Sequence, residues 1–141
     1  MGDFKLERLV VLIVDDEEVI RKIIIDYMTS FGFKNFLEAP DGAEAYRFVL
    51  DQNQRIDLII SDWEMPRTDG LTLLKVLREH RYHANTPFIM VTSQQSQERM
   101  KISQAKRSKV DSYIVKPFRG ETLKAKVWEV LGIGQKKPKA S

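Results

Sequence analysis

The chain has 141 residues with no cysteine, 43% hydrophobic and 30% charged. These are the proportions of one globular domain that buries its core without disulfides or thiolate metal sites. No apolar run approaches the roughly 18 residues of a membrane span, and the opening MGDFKLERLVV lacks a signal-peptide pattern, so a cytoplasmic protein without membrane insertion is expected. The formal net charge is +3, but Lys136, Lys137 and Lys139 all lie in the last ten residues. Without those three charges the body is neutral, so direct nucleic-acid binding is not expected.

Short apolar runs alternate along the chain with segments of helical period. Leu9 to Val14 is continuously apolar and largely β-branched, as a strand buried on both faces should be, and it ends abruptly in Asp15-Asp16-Glu17-Glu18. Ile20, Ile23, Ile24, Tyr27 and Met28 then follow the i, i+3, i+4, i+7, i+8 pattern of an amphipathic helix ending near Gly32. Phe33 to Ala39 reads as a second strand, after which Asp41 caps a helix through Ala45, Phe48 and Val49. Ile56 to Ile60 is a third strand terminated by Ser61-Asp62. A helix carrying Leu71, Leu74, Val76 and Leu77 comes after Pro66 and Gly70.

Pro87 to Val91 forms a fourth strand ending at Thr92-Ser93, and residues 95–107 a polar helix with Met100, Ile102 and Ala105. Tyr113 to Val115 is a short fifth strand closed by Lys116-Pro117, and Thr122 to Leu131 a last helix. Strict alternation of strand and helix implies a single α/β domain, doubly wound, with a parallel sheet between two helical layers. Ligands of such open sheets bind beyond the carboxyl ends of the strands.

Those carboxyl ends carry the candidate chemistry. The first strand ends in Asp15 and Asp16, the third in Asp62, the fourth in Thr92 and the fifth in Lys116. If the strand order is 2-1-3-4-5, the first and third strands are neighbours about 4.8 Å apart and three carboxylates share one pocket. Two such charges about 5 Å apart repel by roughly 3 kcal/mol at an effective dielectric of about 20, so the cluster needs a cation or must take up protons. Hard oxygen ligands without His or Cys favour Mg²⁺, with Ca²⁺ or Mn²⁺ as alternatives, over zinc. An ammonium from Lys116 and a hydroxyl from Thr92 suit the extra charge of an acyl phosphate formed on Asp62. Taken singly, these residues also read as helix caps, turn formers and a surface lysine. Their joint placement is what points to phosphoryl transfer.

Val14-Asp15-Asp16, Ser61-Asp62-Trp63-Glu64-Met65-Pro66 with Asp69-Gly70, Val91-Thr92-Ser93 and Lys116-Pro117-Phe118 resemble the signature of response-regulator receiver domains, over about residues 8–131. The resemblance supplies the flavodoxin-like (βα)5 fold and the order 2-1-3-4-5. It implies that Asp62 is the phosphoacceptor of a sensor histidine kinase or a small phosphodonor. It further implies that Asp15, Asp16, Asp62 and the backbone carbonyl of Glu64 hold Mg²⁺, and that Lys116 pairs with the phosphoryl group. Thr92 and Tyr113 are implied to be the switch pair that reshapes the face of the fourth helix, fifth strand and fifth helix for a protein target. A cis Lys116–Pro117 bond is implied as well. Trp63 after the acceptor, with no output domain, looks most like the stand-alone chemotaxis regulators.

Three features depart from the pattern. Lys109, in Ser108-Lys109-Val110, stands where relatives place a glycine and implies altered loop geometry. Glu64 and Gln94 are candidates for setting the dephosphorylation rate, and both also suit a solvent-facing role. Residues 132–141 form a basic, flexible tail without a counterpart. His80 and His83 read as solvated loop histidines. The competing functions are a phosphorelay intermediate, a receiver fragment of a larger regulator, a metal-dependent phosphohydrolase and a nucleotide- or flavin-binding module. A phosphohydrolase wants a cap insertion that this chain lacks. A nucleotide module wants a Gly-rich loop where Asp-Asp-Glu-Glu stands. A signalling phosphoacceptor, not an enzyme acting on external substrates, is therefore expected.

Overall fold

The computed structural model describes residues 5–93, Ser103, Arg107 and residues 109–134. The apolar runs form five strands, β1 (Val10–Val14), β2 (Asn35–Ala39), β3 (Leu58–Asp62), β4 (Phe88–Ser93) and β5 (Ser112–Lys116), all parallel in the order β2-β1-β3-β4-β5. Among the described residues the helices are α1 (Glu18–Phe31), α2 (Gly42–Leu50), α3 (Gly70–Arg78) and α4 (Gly120–Leu131). Of the helix expected at 95–107, Ser103 and Arg107 are helical, with Arg107 Nη1 donating to Ser103 Oγ at 3.2 Å. The remainder of that segment lies outside the described residues, as do Ser108 and the three tail lysines.

Successive side chains of a strand point to opposite faces, and the core divides accordingly. Leu12, Val14, Ile59, Phe88 and Met90 pack with Ala45 and Val49 of α2 and Leu73, Leu74 and Leu77 of α3. Val11, Ile13, Leu58, Ile60, Ile89, Val91 and Ile114 pack with Ile24 and Met28 of α1 and Leu123 and Val127 of α4. Each fully buried aliphatic side chain contributes about 1.5–3 kcal/mol relative to exposure, so the sheet is the rigid part on which the loops are mounted. Asp41 caps α2 by accepting from the Glu44 N–H at 2.9 Å, as the sequence predicts, and Asp69 caps α3 through the Thr72 N–H at 2.9 Å. Gly32, with φ +117°, ends α1.

Several expectations are corrected. β3 starts and ends two residues later than the Ile56–Ile60 run: Asp57 meets Val10 through its N–H on the Val10 carbonyl and its carboxylate on the Val10 N–H, both at 2.8 Å, just before the ladder, and at the far end Asp62 pairs with Val91 of β4. Asp62 is consequently inside the strand. Ile23 is 42% exposed although it fits the apolar stripe of α1; the buried positions of that helix are Ile24 and Met28. A short 3-10 turn, Leu6–Arg8, precedes β1 and was not anticipated.

His83 is not solvated. It is 7% exposed, with Nδ1 3.0 Å from Thr86 Oγ1, and burial followed by the charge of nearby His80 pushes its pKa below the usual imidazole range. Lys109 does not alter the loop in the expected way: at φ +66° it adopts the left-handed turn that a glycine would supply. The Lys116–Pro117 peptide bond is cis.

Candidate functional site

Parallel ladders set the carboxyl ends of four strands level. Val14 is in register with Ser61, Asp62 with Val91, Thr92 with Val115 and Ser93 with Lys116. Asp15 is the first residue beyond β1, held there by its N–H donating to the Ala39 carbonyl at 3.1 Å. Carboxylate oxygens of Asp15, Asp16 and Asp62 lie within 4.8 Å of one another. Asp15 and Asp62 are buried, at 1% and 7% exposure, whereas Asp16 is exposed. Lys116 Nζ reaches both buried carboxylates, at 3.2 Å from Asp62 Oδ1 and 3.4 Å from Asp15 Oδ2.

One lysine does not neutralise three acids. Burial, reinforced by the Asp15 charge, lifts the Asp62 pKa to about 6 in spite of Lys116. Burial also raises Asp15, against the Glu17 N–H that it accepts at 2.9 Å and the Lys116 charge. Lys116 is desolvated too, but Asp62 and Asp15 more than compensate and its pKa is raised. The nest therefore holds excess negative charge that a hard divalent cation would relieve. Its all-oxygen donor set fits Mg²⁺ in kind.

The remaining predicted residues fall as follows. Thr92 is buried near the end of β4, its hydroxyl making, among the described residues, one long 3.4 Å bond to the Ser93 carbonyl. Beside it, the Ser93 hydroxyl is buried without a hydrogen-bond partner among the described residues. Tyr113 is half-buried against the core under α2 and α3, with Lys126 Nζ 5.7 Å from its ring centroid. Glu64 is exposed on the loop that follows Asp62. Gln94 lies outside the described residues.

The site has supports that sequence reading missed. Arg21, from α1, donates to the Asp15 carbonyl at 2.7 Å and pairs with Glu38 of β2 at 2.9 Å, pinning the backbone that presents two of the acids. Gly70 starts α3 so close to β3 that a Cβ there would run into the Asp62 carbonyl and the Met90 sulfur. Asp69-Gly70 was visible as a motif. Arg21 had no local signal, since its partners are six and seventeen residues away in the chain. An open groove of about 560 Å³ between α1 and α4, lined by Tyr27, Phe31, Arg119, Glu121 and Lys124 among others, contains none of the three aspartates of the nest. The chemistry of the acidic nest outweighs the groove's volume as a guide to the site.

Comparison with known proteins bears on the same residues. The family described as response regulator receiver domain matches residues 11–128. A chemotaxis protein CheY homolog of Campylobacter jejuni is 38% identical over 123 residues, covering 87% of this chain and 92% of that protein. Chemotaxis protein CheY1 of Helicobacter pylori is 37% identical, covering 86% and 95%. Among solved structures, the chemotaxis response regulator CheY4 of Vibrio cholerae superposes with a TM-score of 0.76 at 34% identity, covering 86% of this chain and 98% of that one.

Proposed function

This chain belongs to the response regulator receiver domain family, and on that premise we propose that it is a signalling switch that takes a phosphoryl group on Asp62. The donor is the phosphohistidine of a sensor kinase or a small acyl phosphate. An Asp62 oxygen attacks phosphorus, the bond from phosphorus to the donor nitrogen or oxygen breaks with its electron pair leaving on the donor, and an acyl phosphate forms on Asp62. Water later cleaves it and restores the carboxylate.

Asp15, Asp16, Asp62 and the Glu64 carbonyl would hold Mg²⁺, which would supply neutralisation of the negative charge that gathers at the site. Lys116 is already within 3.2 Å of the acceptor oxygen and pairs with the incoming phosphoryl group. Thr92, whose hydroxyl has only a long bond to leave, swings toward the new oxygens, and Tyr113 turns inward behind it. That movement changes the surface of the segment around 95–107, β5 and α4, where a target protein docks. Glu64 and Gln94 set the lifetime of the acyl phosphate. The receiver spans residues 8–131, and 132–141 is its tail. The named relatives are chemotaxis proteins, which supports chemotaxis as the signalling process.

The observation that carries this reading is the three-acid nest with Lys116 bridging its two buried members. Incubation with acetyl phosphate and Mg²⁺ adds about 80 Da, one phosphoryl group, in a form labile to hydroxylamine. Asp62→Asn abolishes the modification. An Asp62→Asn protein that labels as fully as the parent sinks the assignment.

A further inference from the structure

The loop of residues 63–69 leaves β3 at the acceptor and enters α3. Its ends are pinned to the sheet, with the Trp63 N–H on the Val91 carbonyl at 2.9 Å and the Gly70 N–H on the Trp63 carbonyl at 2.8 Å. Its far side is tied to a different element, the turn before α2. The Gly42 N–H donates to the Thr68 carbonyl at 3.1 Å, and a Cβ at Gly42 would stand 2.7 Å from that oxygen. Arg67 directs both Nε, at 2.9 Å, and Nη2 onto Asp41 Oδ2. The other Asp41 oxygen caps α2, and the carboxylate is almost wholly buried.

Arg67 does this from φ +68°, a conformation that favours glycine and that an arginine adopts only when something holds it. Its side chain is largely exposed, so packing does not hold it. The Thr68 N–H closes a tight turn around it onto the Pro66 carbonyl at 2.8 Å, and the fork on Asp41 ties that turn to the element before α2. The tie sits three residues beyond Glu64, whose carbonyl is proposed above as a metal ligand.

We propose that Arg67 is a positioning residue for the metal and phosphoryl site, its fork on Asp41 fixing the loop that presents the Glu64 carbonyl. This rests on the reading of Asp15, Asp16 and Asp62 as a Mg²⁺ site. Residues that orient metal ligands from outside the coordination shell change metal affinity by about tenfold or more.

The test compares parent, Arg67→Gly and Arg67→Lys for Mg²⁺ affinity by calorimetry, for labelling rate with acetyl phosphate, and for urea stability without metal. Glycine accepts the left-handed backbone and removes only the fork. The expected result is an Arg67→Gly protein whose Mg²⁺ Kd rises about tenfold, with labelling slowed in step, by more than the loss of metal-free stability from leaving Asp41 unpaired accounts for, and with lysine restoring part of the affinity. An Arg67→Gly protein with Mg²⁺ Kd and labelling rate within about twofold of the parent overturns the proposal. So does one that loses affinity only in proportion to stability and is not rescued by lysine. A parent that binds no Mg²⁺ removes the site reading itself, an outcome visible before any Arg67 variant is measured.

Discussion

Lys109 sits in the left-handed region with its carbonyl accepting from Arg78 Nε at 2.9 Å, so the backbone there is fixed by a partner that ignores the side chain. A non-glycine residue in that conformation costs roughly 1–2 kcal/mol, and glycine gives back part of the gain as chain entropy. Lys109→Gly is therefore expected to stabilise the protein by about 1 kcal/mol, read as a higher urea midpoint at unchanged m-value. A variant no more stable than the parent would show that Lys109 contributes as much through its own contacts. At this scale the sequence was informative where chemistry and local pattern coincide. Asp15, Asp62, Thr92 and Lys116 each close an apolar run, and the structure brings them to one edge. It was silent on the pairing of Arg67 with Asp41, because an exposed arginine and a helix cap 26 residues apart carry no joint pattern. His83 failed for a related reason: its burial depends on the loop folding back, which brings Thr86 to its ring.

Between elements, Arg78 does the joining. From the last turn of α3 it donates to the Lys109 carbonyl, to the Thr86 carbonyl at 2.9 Å and to Asp111 Oδ2 at 2.8 Å, and the same Asp111 oxygen accepts from the Phe88 N–H. One guanidinium thus fastens α3 to the entries of both β4 and β5, the strands that carry Thr92 and Lys116. Burial lowers its pKa, against the Asp111 charge, yet it stays protonated at any working pH. Arg78→Ala leaves two loop carbonyls short of donors and is expected to cost roughly 2–3 kcal/mol, measured by urea unfolding. Arg78→Lys recovers little of it, since a single ammonium does not span the fork's separate acceptors. Full recovery with lysine would reduce the contact to a point charge. Strand boundaries were legible to within two residues. β3 runs past its apolar run because its end is set by pairing with β4, where Asp62 meets Val91, a partner distant in sequence.

For the whole molecule, periodicity yields the layers but not the strand order, which came from the family resemblance; nothing local says that β1 lies between β2 and β3. That order is what concentrates negative charge at one end of the sheet, and the concentration has a consequence for stability. In the folded, metal-free protein the Asp62 pKa of about 6 exceeds its unfolded value near 3.8, and Asp15 is raised as well. Between those two pH values the folded state binds more protons than the unfolded one, so stability falls as pH rises through that window and is fully present only below it. Asp62 alone accounts for on the order of 3 kcal/mol. A bound divalent cation reverses the balance, because it favours the ionised acids, and its affinity weakens as protons compete below about pH 6. Urea unfolding in EDTA is thus expected to show stability declining from about pH 4 to 6, once the opposite titration of His83 is removed by comparison with Asp62→Asn. Millimolar Mg²⁺ should stabilise strongly at about pH 7.5 and hardly at about pH 5. Asp62→Asn flattens the metal-free profile and is more stable than the parent at neutral pH without metal. Equal stability of the two proteins there, or a Mg²⁺ effect indifferent to pH, would mean that the acids do not compete for space as the geometry requires.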